Sequence, residues 1–220
     1  MSEHVALSDL ALAAYCPRKL YYARRADADR SPPPSVERRR ELAFAYPDLL
    51  AGDGPPDRLA VSPSEAARRL RAARERFPDA WAELVDPAER DVRLTGRDCR
   101  GDAAKVLALD PPVPTLVSAG DPPDDGVWEP QRVRAVGVAK ALAWREERAV
   151  ERAFVEYPAH GVVREVRLTG RTKAAYRRAL RTVRELDGPP PRLRDDAKCE
   201  ACEFRGECGV RTRTLGSLLG

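Results

Sequence analysis

The feature that most constrains this chain is the spacing of three cysteines near its end. Cys199 and Cys202 form a C-x2-C pair and Cys208 follows after five residues, which gives C-x2-C-x5-C. Residues 198–209 are polar and contain few large apolar side chains, so this segment needs a cross-link or a bound metal to keep one shape. Thiolates at these spacings can converge on one metal centre. The sequence therefore predicts a metal site here.

A fourth ligand has to come from elsewhere, since closed thiolate sites use four and no histidine lies nearby. Cys16 precedes Pro17 at a predicted helix start among cationic side chains, where the pKa of a thiol falls and the ligand form is favoured. Cys99 lies near the edge of the predicted strands and is interpreted as a small semi-buried thiol. We expect Cys16 to join the C-terminal three; zinc and an iron–sulfur cluster both suit four thiolates, and spacing leaves both open.

The order of predicted elements indicates an α/β fold. With 220 residues, one compact domain or a core with a small appendage is expected. Helices are predicted before residue 88, and short apolar runs at 91–94, 104–109 and 115–118 predict three strands of a meander. A helix at 131–148, strands at 152–157 and 162–168 and a helix at 171–186 follow. This order suggests three regions: an N-terminal helical region (1–88), an α/β core (89–170) and a basic helix with the cysteine cluster (171–220).

Positive charge is concentrated in the second half of the chain. The net charge is +4, but residues 163–194 contain ten Arg or Lys against three acidic residues, a net +7. The predicted helix at 171–186 carries Arg177, Arg181 and Arg184 on one face and apolar side chains on the other. A basic surface of this kind suits a phosphate backbone, so these three are DNA-binding candidates. The alternative is a solvated helix face.

The sequence also predicts a cytoplasmic protein without a membrane partner. No apolar run approaches the ~20 residues needed to span a bilayer, and the N-terminal segment has no basic region followed by a cleavage site. In the cytoplasm, cysteines serve as ligands or free thiols more often than as disulfides.

The two cysteine segments together carry a resemblance. With Cys16-Pro17-Arg18-Lys19 at one end and C-x2-C-x5-C at the other, the chain resembles the CRISPR-associated RecB-type exonucleases, small iron–sulfur nucleases of the PD-(D/E)XK superfamily. The resemblance covers nearly the whole chain, including the strand–strand–strand–helix–strand order. It implies a PD-(D/E)XK (RecB-like) core with N-terminal helices and a C-terminal iron–sulfur segment. It also implies a 4Fe–4S cluster on Cys16, Cys199, Cys202 and Cys208, a DNA partner and a role in antiviral defence beside CRISPR adaptation proteins.

The catalytic part departs from that family. Such nucleases need carboxylates for Mg²⁺ or Mn²⁺ and a lysine near the attacking water, written as an N-terminal histidine, G-x-x-D, E-x-K and Q-x-x-x-Y. Ala104 stands three residues after Gly101, where the aspartate is expected, and Leu116 and Ser118 stand in place of Glu and Lys. Gln131 is followed by no tyrosine four residues later, and neither histidine lies in the N-terminal helices.

The nearest carboxylates are in the wrong register. Asp98 and Asp102 lie close to the expected position but out of register, and a slip of one residue turns a strand side chain to the opposite face. The Asp-x-Lys at 196–198 abuts the cysteines rather than the core. The chain is therefore similar to degenerate members of the family, of the kind found in halophilic archaea.

Three functional hypotheses follow. The first is a cluster-bearing DNA-binding or adaptor protein of CRISPR adaptation that lacks nuclease activity. The second is an active metal-dependent exonuclease on single-stranded DNA, with Asp98, Asp102, Asp110 or Glu129 binding Mg²⁺ or Mn²⁺. The third is a zinc-stabilised interaction module without a nucleic-acid role.

Overall fold

A computed structural model describes residues 4–26, 31 and 33–209. The helices are α1 (Leu7–Tyr15), α2 (Pro17–Arg25), α3 (Pro34–Glu41), α4 (Tyr46–Ala51), α5 (Pro63–Arg76), α6 (Trp81–Val85), α7 (Glu129–Arg145), α8 (Gly170–Arg184) and α9 (Asp196–Glu200). The strands are β1 (Val5–Ala6), β2 (Glu89–Thr95), β3 (Cys99–Leu107), β4 (Val113–Val117), β5 (Arg152–Tyr157) and β6 (Val162–Arg167). Turns of 3₁₀ helix lie at Leu42–Phe44 and Pro158–His160.

All six strands belong to one mixed sheet. β2, β3 and β4 form an antiparallel meander, and α7 then carries the chain over to β5, which runs parallel to β4. β6 returns antiparallel to β5. β1 pairs in parallel with the first two residues of β3. β4 pairs with the last three residues of β3 on the same edge of that strand, and β2 occupies the opposite edge. The predicted α/β class is confirmed.

Helices cover both faces of the sheet. Val106, Leu116 and Val155 belong to the core cluster shared with α1, α7 and α8. Their neighbours Leu107 and Phe154 belong to a second cluster shared with α4, α5 and α6. Burial on both faces explains why the second half of β3 and most of β4 and β5 are apolar on both sides. No helix in the described ranges is long and apolar enough to cross a bilayer.

Close packing of α1 on α7 fixes the start of the cysteine site. A Cβ added to Gly137, in the middle of α7, would lie 2.5 Å from the Leu7 side chain of α1. Such an approach requires glycine. Since α1 ends at Tyr15, this contact holds the next residue, Cys16, against the main core.

Two features of the N-terminal third differ from the sequence-based expectation. The sequence predicts one helix from residue 36 to 46 that is ended by Pro47. In the structure α3 ends at Glu41, and Pro47 lies in the first turn of α4. Proline is compatible with a first turn because the N–H it lacks would have no helical partner there. The strand β1 was not predicted, because two residues are too few to show an alternating pattern.

Candidate functional site

Cys16 lies between two helices. Its N–H donates to the carbonyl of Leu12 in α1 (2.8 Å), and its Sγ accepts the N–H of Lys19 in the first turn of α2 (3.4 Å). Pro17 occupies the first position of α2 and has no N–H to satisfy. Cys16 is therefore the N-cap of α2 and lies at the positive end of the helix dipole.

The other three cysteines lie on a series of local turns. Asp195 caps the short helix α9 by accepting the N–H of Lys198 (3.1 Å), and α9 contains Cys199. The N–H of Cys202 donates to the carbonyl of Cys199 (3.3 Å). The N–H of Cys208 donates to the carbonyl of Phe204 (2.9 Å). These turns direct the three thiols toward α2 without burying any residue of the segment in the core.

The four predicted ligands line one cavity. All four are free thiols of intermediate exposure. The cavity is also lined by Tyr15 at the end of α1, by Lys19 and other side chains of α2, and by side chains from residues 192–205. Within the described residues, however, no group of three or more His, Cys, Asp or Glu side chains is arranged to hold a single metal ion. Cys99 lies elsewhere: it is buried and donates to the carbonyl of Gly137.

The pKa of Cys199 is affected by the other three thiols of the cavity. Burial raises the pKa of Cys199; the Arg192 guanidinium lowers it, and the neighbouring Cys208, Cys16 and Cys202 raise it again through repulsion between thiolates. A bound cationic centre would remove that repulsion.

Hydrogen bonds and a ring contact also join α2 to residues 190–209, the C-terminal segment. Arg18 donates to the carbonyl of Pro190 (2.9 Å), and the hydroxyl of Tyr22 donates to the carbonyl of Glu207 (3.0 Å). The ring of Tyr22 stacks on Phe204 with centroids 6.1 Å apart. The helix α2 and the C-terminal segment thus form one unit around the cysteine cavity.

The predicted carboxylates do not converge. Arg93 donates to both oxygens of the exposed Asp102 (2.9 Å each). Asp98 pairs with Arg184 of α8 (3.2 Å). The two further candidates are also held in surface pairs, Asp110 with Arg148 and Glu129 with Arg178.

The face of the meander that meets the N-terminal helices is apolar where the family motif would be acidic. Ala104 packs with Val117 and Ala43, beside Phe44. Leu116 lies on the other face, in the core below α7. Leu116, which stands in place of the Glu of E-x-K, therefore lies on the face opposite Ala104. Val117 shares the face of Ala104, but its side chain cannot bind a metal.

A buried polar network lies next to this apolar patch. Lys105 of β3, Thr115 of β4, Glu156 of β5 and Tyr46 of α4 are each 0–1% exposed. The Lys105 ammonium donates to Glu156 (2.7 Å) and to two backbone carbonyls, those of Ala43 (2.7 Å) and Leu84 (2.6 Å). Glu156 also accepts the hydroxyls of Tyr46 (2.6 Å) and Thr115 (2.6 Å).

The charged groups of Lys105 and Glu156 find all their hydrogen-bond partners within the protein. All three protons of the Lys105 ammonium have acceptors, and both oxygens of Glu156 have donors. Burial raises the pKa of Tyr46 well above its usual value, and the Glu156 charge raises it further. Sequence reasoning missed the network, although Lys105 and Glu156 each stand between apolar residues of a strand, which was a signal for it.

One cation near the meander lacks an acidic partner. The Nε of Arg134, on α7, is buried without a hydrogen-bond partner, and no ion pair to Arg134 occurs in the described part of the chain. Burial lowers its pKa and the nearby Arg40 lowers it further, while Asp102 acts in the opposite direction. This part of the molecule already carries an uncompensated positive charge.

The arginine face of α8 is as amphipathic as predicted. Tyr176, Leu180 and Val183 are buried, while Arg177 and Arg181 are exposed and make no ion pair within the described residues. Arg184, the third candidate, is held by Asp98.

Comparisons with known proteins add little to these residues. No protein-family model matches the chain, and no curated protein matches it. Solved structures with a similar fold include the crystal structure of SSO0001, at 12% sequence identity and a TM-score of 0.45, covering 96% of this chain and 89% of that chain. A likeness at this TM-score carries no argument about function.

Proposed function

We propose that the chain is a CRISPR-associated, exonuclease-like iron–sulfur protein that binds DNA and does not cleave it. The observation that carries the proposal is the meeting of Cys16 with Cys199, Cys202 and Cys208 around one cavity. This is the set of four ligands that the resemblance to RecB-type exonucleases implies. A role as a DNA-binding adaptor among CRISPR adaptation proteins follows from that resemblance.

The topology supports a PD-(D/E)XK-type core. An antiparallel meander, a crossover helix and a strand parallel to the third strand of the meander occur in this order in β2, β3, β4, α7 and β5. Many folds reuse parts of this arrangement, so the cysteines and not the strand order decide between families.

The donor set fits a 4Fe–4S cluster. Four thiolates, without an imidazole or carboxylate among them, are the ligands that iron–sulfur clusters take. Four thiolates also suit a structural zinc ion, so the choice of iron–sulfur rests on the resemblance. When bound, the cluster would supply a cross-link between α2 and the C-terminal segment. Cys16 would hold it from the helix N-terminus, while Arg192 and the neighbouring cations offset the thiolate charge.

Four features of the sheet and of the adjoining helix α7 support the absence of cleavage. Ala104 stands where a metal-binding carboxylate would be needed, and Asp98 and Asp102 are engaged by arginines. The Lys105–Glu156 pair is enclosed and has no exposed atom to offer a substrate. Arg134 adds a positive charge beside the meander, which would oppose binding of a divalent cation there.

The surface charge supports a DNA partner. Residues 163–194 carry a net +7, and Arg177 and Arg181 have exposed guanidinium groups that no carboxylate in the described ranges neutralises. Guanidinium groups in this state can pair with phosphates without first breaking an ion pair.

The test combines metal analysis with a nuclease assay on protein purified without oxygen. We expect the wild type to absorb visible light and to contain iron and acid-labile sulfide in equal amounts. Cys199→Ser should lose the absorbance, the iron and the sulfide, and the matched variant Cys99→Ala should keep all three. We also expect no degradation of single-stranded DNA with Mn²⁺, while DNA is still retarded in a gel at low salt.

Each alternative has its own result. Zinc without iron would support the interaction module. Manganese-dependent degradation that is abolished by Asp102→Ala would establish the active exonuclease and overturn the proposal.

A further inference from the structure

An open groove adjoins the cysteine cavity. It lies between α1 and the start of α7, and its apolar floor consists of Ala11, Leu12, Ala14 and Pro130. Tyr15, Lys19 and Lys198 line both the groove and the cysteine cavity. The groove is therefore built partly from the same residues that hold the cysteine segment against α2.

The groove has an exposed aromatic wall. Trp128 is 52% exposed although it is one of the largest apolar side chains of the protein. It is the N-cap residue of α7, and its indole N–H donates to the carbonyl of Asp121 (2.9 Å), which fixes the ring. A rigid, exposed indole costs little conformational entropy when a flat ligand stacks on it. Trp144, near the other end of α7, is 59% exposed but does not line this groove.

Cations and one unpartnered polar atom complete the groove. The ammonium groups of Lys19 and Lys198 lie 5.7 and 5.4 Å from the centre of the Tyr15 ring. Each is also paired with a carboxylate, Lys19 with Glu203 (3.3 Å) and Lys198 with Asp195 (3.2 Å), and a phosphate would replace that partner. The amide oxygen of Gln131 is buried and has no hydrogen-bond partner. A buried oxygen in this state is stabilised when a ligand supplies a donor. Glu129, the acidic residue of the lining, is paired with Arg178 (3.1 Å).

We propose that this groove binds an unpaired base of single-stranded DNA. The base stacks on Trp128, a donor on its edge reaches the Gln131 oxygen, and the adjacent phosphates lie near Lys19 and Lys198. The inference rests on the proposed function, because it assumes that DNA is the partner, and it adds the site at which a base is held.

The lining favours nucleic acid over the other chemistries that could use an apolar groove. An aromatic face flanked by cations is the combination that single-strand binding proteins use, since every base has a π-face and every nucleotide a phosphate. An acidic peptide would satisfy the lysines but would not require an aromatic wall fixed by its own hydrogen bond.

Fluorescence anisotropy with labelled oligothymidylate of about 15 nucleotides, a length within the usual site size, and with a duplex of equal length tests the inference. The metal-loaded protein should bind the single strand more tightly. Trp128→Ala should weaken single-strand binding roughly 5- to 150-fold, the range measured for loss of one stacked base. Trp128→Phe should recover most of the loss, and Trp144→Ala should leave binding unchanged.

Two further readouts separate stacking from charge. Single-stranded DNA should quench tryptophan emission in the wild type and in Trp144→Phe, but much less in Trp128→Phe. The double variant Lys19→Gln/Lys198→Gln should reduce the slope of log affinity against log salt by about 1.4, since each phosphate contact on a single strand contributes about 0.7.

The outcomes distinguish this inference from the proposed function. If the wild type binds no DNA at low salt, the proposed function fails and the inference fails with it. Equal binding by Trp128→Ala and Trp144→Ala would overturn the inference alone, as would an equal loss of duplex and single-strand binding in Trp128→Ala. If polyglutamate competes with the oligonucleotide and its binding depends on Trp128, the groove is a peptide site and the inference is wrong.

Discussion

At the residue scale, the Lys105–Glu156 pair shows how a charge can be essential to a fold without being available to a ligand. Both side chains are fully buried, and desolvation of two ions costs several kcal/mol each. That cost is offset here by mutual attraction and by hydrogen bonds from Tyr46 and Thr115 and to two carbonyl groups. The pair therefore joins β3, β4 and β5 to the helices above them.

We expect Lys105→Met to destabilise the protein by about 3–5 kcal/mol, because it leaves the Glu156 carboxylate buried without a compensating charge. The double variant Lys105→Met/Glu156→Gln should be more stable than the single variant, since the uncompensated charge is then absent. Urea denaturation followed by circular dichroism gives both free energies of unfolding.

The matched control is an exposed ion pair whose acidic member, Asp102, lies on β3 with Lys105. Asp102→Asn removes the ion pair with Arg93 at the surface, where such pairs contribute about 0–1 kcal/mol. A loss from Lys105→Met no larger than that from Asp102→Asn would show that the buried pair does not stabilise the fold.

At the element scale, the start of α5 illustrates a motif that the sequence predicts only in part. The sequence of residues 62–65 predicts that Ser62 caps the helix and that Glu65 completes a capping box. Ser62 does accept the N–H of Glu65 (3.2 Å). The Glu65 carboxylate instead accepts from Arg68 (2.7 and 2.8 Å) and Arg69 (2.6 Å), because cations three and four residues ahead can reach it with good geometry.

This arrangement predicts a pH effect on α5. The hydrogen bonds from Arg68 and then Arg69 lower the pKa of Glu65 from 4.5 to about 2. A depressed pKa in the folded state gives a stabilisation that is complete above the unfolded pKa, near 4.5, and is lost as the pH falls toward 2. Carbon-13 NMR should therefore find the Glu65 carboxyl still ionised at pH 3. Arg68→Ala should raise its pKa toward 4.5, and an unchanged midpoint in that variant would contradict the assignment.

The same scale shows what the sequence could and could not predict. The meander, the crossover helix and the amphipathic α8 follow from apolar periodicity, which is a local property. The grouping of Cys16 with the C-terminal cysteines was expected from the resemblance and from ligand number. The polar network was not predicted, because Tyr46, Lys105 and Glu156 come from elements that meet only in the folded sheet.

At the scale of the whole molecule, α2 meets residues 190–209 in a region that the hydrophobic core does not stabilise. No residue from 184 to 209 is buried, although Val183 is. The C-terminal segment is held by Tyr22, Arg18 and Phe204 through exposed or half-exposed contacts. A segment with so little buried apolar surface opens at low free-energy cost unless something else ties it down.

Removal of the proposed cluster should therefore loosen one part of the protein and leave the rest folded. A site that forms only in the folded state stabilises that state when it is filled, and here the stabilisation should be confined to the elements that supply its ligands. We expect hydrogen exchange after oxidative cluster removal to become about tenfold faster or more in residues 195–208 and in α2, with β3, β4 and α7 unchanged. Cys99→Ala, which leaves the proposed ligands intact, should keep the exchange pattern of the loaded protein in the C-terminal segment. Global loss of protection on cluster removal would instead mean that the cysteine site is required for the α/β core itself, so the core would depend on a contact made entirely outside it.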